Sequence, residues 1–183
     1  MSKKTCAINV DLRGYGASDS LTKYGTISEY AEDIAQLLGH LNIKRAIIVG
    51  HSLGGMVAVE FAARFTKLTA AIIMISSGIV FPKDAFDDEN DFLQRLAGPD
   101  FDSVLLELVQ QLLPYGDKNK LIEQTFCAVS QQQWIAHFTA MLLWDKKAPE
   151  LLSKISIPML YIGDNGGEYS DLDRVKNICP QLM

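Results

Sequence analysis

The pentapeptide Gly50-His51-Ser52-Leu53-Gly54 stands between an apolar β-type run, Ala46-Ile47-Ile48-Val49, and an alanine-rich run from Leu53 to Phe65 that reads as a helix. A chain that passes from extended backbone to helix within two residues must bend sharply, and Ser52 falls at the apex of that bend. Small residues two positions to either side, Gly50 and Gly54, are expected to let strand and helix approach closely. A hydroxyl held there, at the start of a helix, is a candidate nucleophile. Its ordinary alternative is an N-cap, in which Ser52 would do no more than accept a hydrogen bond from the first helical turn.

The flanking pattern defines a parallel α/β fold. Thr5 to Val10 reads as a buried strand, and Asp11-Leu12-Arg13-Gly14-Tyr15-Gly16 breaks it into a loop over the carboxyl edge of the sheet. Thr26 and Glu29 have capping-box spacing, and Tyr30, Ile34, Leu37, Leu38 and Leu41 form a helical stripe behind them. With strands at Ala46–Val49 and Ala70–Ile75 the order is βαβαβ, which implies a mostly parallel sheet with helices on both faces and right-handed crossovers.

After Ser76-Ser77-Gly78 the rhythm changes. Residues 84–153 hold amphipathic stretches broken at Gly98-Pro99, at Pro114 to Gly116 and at Pro149. Phe92, Leu93 and Leu96, then Val104, Leu105, Leu108 and Leu112, then Trp134, Ile135, Phe138 and Leu142 recur at helical spacing, as expected of helices packed on one another. A short β-run, Ile157 to Gly163, returns to the sheet, and a last helix follows from Asp171 to Ile178, with Asp171 and Asp173 in its first turn. The expected division is a core at 1–79, a helical cap at 80–153 and a return to the core at 154–183.

Composition narrows the function. A net charge of -5 over 183 residues, with no basic stripe, argues against a nucleic-acid surface. Cys6, Cys127 and Cys179 are odd in number and widely spaced, which fits neither a disulfide framework nor a zinc site and suits a reducing, cytoplasmic setting. The amino-terminal stretch, interrupted by Asn9 and Asp11, is read as neither a signal peptide nor a membrane span. Gly14 and Gly16 lack the third glycine of a dinucleotide fingerprint, and neither metal nor organic cofactor is expected.

Taken together, Asp11-Leu12-Arg13-Gly14-Tyr15-Gly16-Ala17-Ser18-Asp19, the Gly50 to Gly55 segment and Ile157-Pro158-Met159-Leu160-Tyr161-Ile162-Gly163 resemble the α/β-hydrolase superfamily, in capped form and over nearly the whole chain. The resemblance implies acyl transfer on an ester, lactone or related small-molecule substrate, with Ser52 as nucleophile and the Leu53 N–H as oxyanion donor. It implies a serine, acid, histidine order for the triad. Asp164 is the expected acid, with Glu168 the nearest substitute. No histidine follows Pro158: His40 ends the first helix, His51 adjoins the serine as a packing residue, and His137 lies in the cap, where the ordinary role is packing.

The same resemblance implies a strand between the Thr5 and Ala46 strands that this sequence lacks. Direct pairing of the two strands, a contribution from another chain, or a place within a longer protein would each fill the slot, and the last is the expectation. A sheet left open there should self-associate through its edge. The competing functional expectation is a truncated or degenerate member that binds without catalysing.

Overall fold

The computed structural model describes residues 6–19, 25–82, 89–112, 129–163 and 170–183. Three strands, β1 (Ala46–His51), β2 (Thr69–Ile75) and β3 (Met159–Ile162), form a parallel sheet in the order β1-β2-β3. Val49, Ile73 and Leu160 lie side by side in register, as do His51, Ile75 and Ile162. Helix α1 (Ile27–His40) precedes β1, α2 (Leu53–Arg64) follows it, and a single 3-10 turn at Thr66–Leu68 leads into β2.

Each boundary has a local cause. Thr26 and Glu29 close the capping box at the start of α1, satisfying two of the donors that a helix start leaves unpaired. At its end Asn42 takes a positive φ of 57°, and the Ile43 N–H reaches back to the Leu38 carbonyl. Helix α2 is apolar on nearly every side, and Met56, Val57, Ala58, Val59, Phe61 and Ala62 are all buried. It is the central helix, packed on β1, β2 and α1. Its one buried carboxylate, Glu60, accepts from Ser28 Oγ at 2.7 Å and lies 3.7 Å from Arg64, which also donates to the Ser28 carbonyl. Burying that charge is tolerable because it is hydrogen-bonded and paired.

Beyond β2 the chain crosses the interior without regular structure, and Ser77, Ile79, Val80 and Phe81 are buried. Its backbone groups are satisfied by side chains from distant segments. Trp144 Nε1 donates to the Ile79 carbonyl at 2.9 Å, the Ile79 and Val80 amides donate to Ser170 Oγ, and the Phe81 amide donates to Asp145 Oδ1 at 3.0 Å. These bonds tie the carboxyl end of β2 to Trp144 and Asp145 and to Ser170.

Helices α3 (Glu89–Ala97), α4 (Phe101–Leu112) and α5 (Gln131–Ser153) make up the described part of the helical insertion. Leu96, Val104, Leu105, Leu108 and Trp134 form a cluster of their own, bordered by Phe92, Leu93, Ile135 and Phe138, so the amphipathic stripes pack helix on helix. The second half of α5 leaves that cluster and adds Ala140, Trp144, Ala148 and Leu152 to the main core. The break expected at Pro149 is corrected here, because α5 runs through it. A proline inside a helix forfeits a backbone bond and costs ~3 kcal/mol. Trp144, Ala148 and Leu152, all buried at four-residue spacing on the same face, offset that loss. The other expected break, Pro114 to Gly116, lies outside the described residues. Helix α6 (Leu172–Ile178) begins at Asp171, whose carboxylate accepts from the Arg174 amide at 3.0 Å. Among the described residues no helix is long and apolar enough to cross a membrane.

The strand expected at Thr5 to Val10 is also corrected: residues 6–10 are exposed and form no ladder with any described strand. Apolar, β-branched residues favour a strand only where a neighbour completes its hydrogen bonds, and among the described residues β1 pairs with β2 alone. The sheet face turned away from α2 carries Ile47, Val49 and Ile162, which are 58%, 57% and 50% exposed. With Ile73, Ile75 and Leu160 between them they make a continuous apolar surface. The 183-residue chain is expected to bind an environment-sensitive apolar dye and to elute from a sizing column at a concentration-dependent position. Val49→Lys should weaken both effects, and a sharp, dye-silent monomer peak at all concentrations would contradict this account of the face.

Candidate active site

Ser52 occupies the bend between β1 and α2 with φ 50° and ψ -120°. A non-glycine residue at positive φ costs on the order of 1–3 kcal/mol and persists only where its surroundings enforce it. The enforcement is visible. The Ser52 amide donates to the Ile75 carbonyl at 3.0 Å, and the Ser52 carbonyl accepts from the Gly55 amide at 2.9 Å and from Ser77 Oγ at 2.7 Å. The Ser52 hydroxyl makes no capping bond and has no hydrogen-bond partner among the described residues, so the helix-cap alternative is set aside. Leu53, the first residue of α2, keeps its side chain in the core while its N–H finds no acceptor among the described residues. A hydroxyl and an uncommitted N–H at the positive end of a helix suit attack on a carbonyl and stabilisation of the resulting oxyanion.

The glycines divide their labour differently from the expected pair. A Cβ at Gly50 would run into the Gly54 carbonyl, and a Cβ at Gly55 would run into the Ser77 side chain. A Cβ at Gly54 would meet nothing within 4 Å. Gly50 and Gly55 are therefore the residues that allow the close approach, and the expected steric role of the Gly54 side is corrected. Gly50→Ala should destabilise the fold by more than ~3 kcal/mol or prevent folding, since overpacking against backbone cannot relax by rotamer change. Gly54→Ala should stay within about 0.5 kcal/mol. Thermal unfolding of the two variants checks the contrast.

The Asp11 to Asp19 segment forms a closed loop. Gly14 and Gly16 adopt φ of 79° and 53°, the Ala17 amide donates to Asp11 Oδ2 at 2.9 Å, and Ser18 Oγ donates to the Asp11 carbonyl at 2.7 Å. Arg13 pairs bidentately with Asp33 of α1. Helix α5 packs on this loop: Tyr15 and His137 Nδ1 share a hydrogen bond of 2.8 Å, and Gln133 Nε2 donates to the Tyr30 hydroxyl at 3.1 Å. Trp134 and Phe138 pack against the imidazole with ring centroids 5.5 and 5.3 Å away. Burial pushes the His137 pKa down to about 4 and raises that of the Tyr15 phenol, so both stay uncharged at neutral pH. His137 thus joins α5 to the Asp11 to Asp19 loop.

Of the other residues singled out by sequence, His51 is exposed at the end of β1 and His40 is exposed at the end of α1. Among the described residues no imidazole is hydrogen-bonded to Ser52. Asp164 and Glu168 lie outside the described residues. Ser77, which holds the Ser52 carbonyl, was missed by sequence reasoning, and Ser76-Ser77-Gly78 signalled only that a strand had ended.

Linkage at His137 has a definite sign. Its folded pKa lies below the ordinary 6.5, so the unfolded chain takes up the proton first. The stability held by the neutral ring is complete above pH ~6.5 and drains away as pH falls toward 4. Urea unfolding across that window should show a steeper loss in the wild type than in His137→Phe; parallel curves would rule the joint out as the cause.

This combination of parallel sheet, Gly-flanked bend and strained serine defines a class. The chain belongs to the α/β-hydrolase fold family, whose sequence profile matches residues 6–111. Among individual proteins it is 36% identical over 87 residues to a 2-(acetamidomethylene)succinate hydrolase of Mesorhizobium japonicum, an alignment covering 48% of this chain and 31% of that protein. A hydrolase from Oleispira antarctica superposes with a TM-score of 0.77 at 21% identity, covering 93% of this chain and 68% of that one. An enol-lactonase from Burkholderia xenovorans superposes at 0.71 and 17% identity, covering 94% and 68%. These two structures share the fold, and the sequence relative is matched over less than a third of its length.

Proposed function

We propose that this chain carries the nucleophile of a serine hydrolase acting on an ester, lactone or related acyl substrate. The observation that carries this reading is the Ser52 backbone, strained yet held by three hydrogen bonds, with its hydroxyl uncommitted and the Leu53 N–H beside it. In the proposed reaction Ser52 Oγ attacks the acyl carbon while a base removes its proton, and the oxyanion accepts from Leu53 N–H. The tetrahedral intermediate expels the alcohol to leave an acyl-serine, and water then releases the acid. Asp164 is the proposed carboxylate partner of the base. Ester and lactone chemistry is the proposed use of this site, and a hydrolase and an enol-lactonase are among the proteins that share its fold.

A second reading is a member that binds acyl compounds without turning them over. It is favoured by the absence, among the described residues, of any imidazole bonded to Ser52. The two separate on reactivity. A fluorophosphonate probe should label the wild-type chain slowly and faster when free imidazole is added as a surrogate base, and Ser52→Ala should abolish labelling under both conditions. A folded wild type that resists the probe even with imidazole would remove the hydrolase reading.

A further inference from the structure

We infer that Ser77 is a positioning residue for oxyanion stabilisation, holding the Ser52–Leu53 peptide plane so that the Leu53 N–H points into the site. The inference rests on the proposed nucleophilic role of Ser52 and adds a residue that the sequence pattern did not disclose. The carbonyl of Ser52 and the N–H of Leu53 belong to one peptide unit, which is planar and rigid, with the two groups pointing in opposite directions. Whatever fixes the carbonyl therefore fixes the N–H.

The Ser52 amide is anchored on the Ile75 carbonyl, and the orientation of the following peptide plane is set by what holds its carbonyl. Two donors hold the carbonyl. One is the Gly55 amide at 2.9 Å, within the first turn of α2, and the other is Ser77 Oγ at 2.7 Å, two residues beyond the end of β2. Gly55 supplies a bond that any helix start can make. Ser77 supplies a bond across the sheet, from a side chain with no exposed surface.

The surroundings are shaped around that bond. A Cβ at Gly55 would occupy the space taken by the Ser77 hydroxymethyl group, so the helix is glycine where the serine must enter. Ser76, just before it, adopts φ 42°, the second positive-φ serine at the carboxyl edge of the sheet. Its amide donates to the Ile162 carbonyl at 2.8 Å, repeating one strand over the bond that Ser52 makes to Ile75. The strained backbone at Ser76 turns the chain so that Ser77 faces the bend rather than continuing the line of β2. Ser77 Oγ–H donates, and as a neutral hydroxyl it adds no charge to the site.

The test uses the full 183-residue chain with Ser77→Ala and Ser77→Cys. Fluorophosphonate labelling forms the Ser52 Oγ–P bond and expels fluoride, with the hydroxyl proton passing to added imidazole, while the phosphoryl oxygen rests on Leu53 N–H. Ser77→Ala is expected to lower the maximal labelling rate by about 10- to 100-fold, with the half-saturating probe concentration within about twofold of wild type, as befits loss of a well-aimed oxyanion donor. Ser77→Cys, which keeps a weaker donor, should fall between the two. In parallel, the Ser52 carbonyl-carbon and Leu53 amide resonances should shift in Ser77→Ala and move back toward wild type in Ser77→Cys, while circular dichroism stays unchanged.

A Ser77→Ala protein labelled at the wild-type rate, or one in which those two resonances do not move, overturns the inference. A wild type that resists the probe while the resonances respond as stated removes the nucleophile reading and leaves the Ser77 hold on the peptide plane supported. If Ser77→Ala does not fold, Ser77→Cys decides by the same rate and resonance criteria.

Discussion

The architecture depends on one close approach, where the end of β1 passes over the start of α2 at Gly50. The distance is set by backbone against backbone, and no side-chain adjustment can relieve it. Because the approach is tight, the residue between strand and helix is forced into a positive-φ conformation, and the helix N-terminus is brought directly under its hydroxyl. The apolar surface of α2 then fixes the angle of the helix against β1 and β2. The strain at Ser52 is thus held by burial of Met56, Val59 and Phe61 in the turns of α2 that follow.

The segment after β2 extends that dependence to the rest of the chain. A buried stretch without regular structure would leave backbone donors and acceptors unpaired, each costing about 1–3 kcal/mol. Here they are taken by Trp144 and Asp145 of α5 and by Ser170 ahead of α6. The same stretch delivers Ser77 to the bend. The segment after β2 therefore links the sheet to α5 and to the start of α6. Helix α5 is fastened a second time where Tyr15 meets His137 and Gln133 meets Tyr30, both contacts between uncharged groups.

Much of this was legible in advance. Apolar runs bounded by turn residues located all three observed strands, the capping box located α1, and G-x-S-x-G located the bend. Misreadings arose where local pattern and long-range context disagreed. Cys6 to Val10 has the residues of a strand but no partner strand among the described residues, and Pro149 is a helix breaker overruled by the burial of Trp144, Ala148 and Leu152. The steric role moved from Gly54 to Gly55 because the obstacle is Ser77, which is 22 positions away in sequence and adjacent only in space.

What the amino-acid order decided by itself is the alternation of strand and helix, the serine at their junction and the likeness to α/β-hydrolases, since these rest on periodicity and on residues within a few positions of one another. Only the tertiary structure decided which way the Ser52–Leu53 peptide faces, that the segment after β2 supplies the hydroxyl that holds it, and that His137 joins α5 to the Asp11 to Asp19 loop. Those outcomes depend on contacts between residues 25 to 122 positions apart, and such contacts exist only after the sheet has assembled and α5 has packed on it.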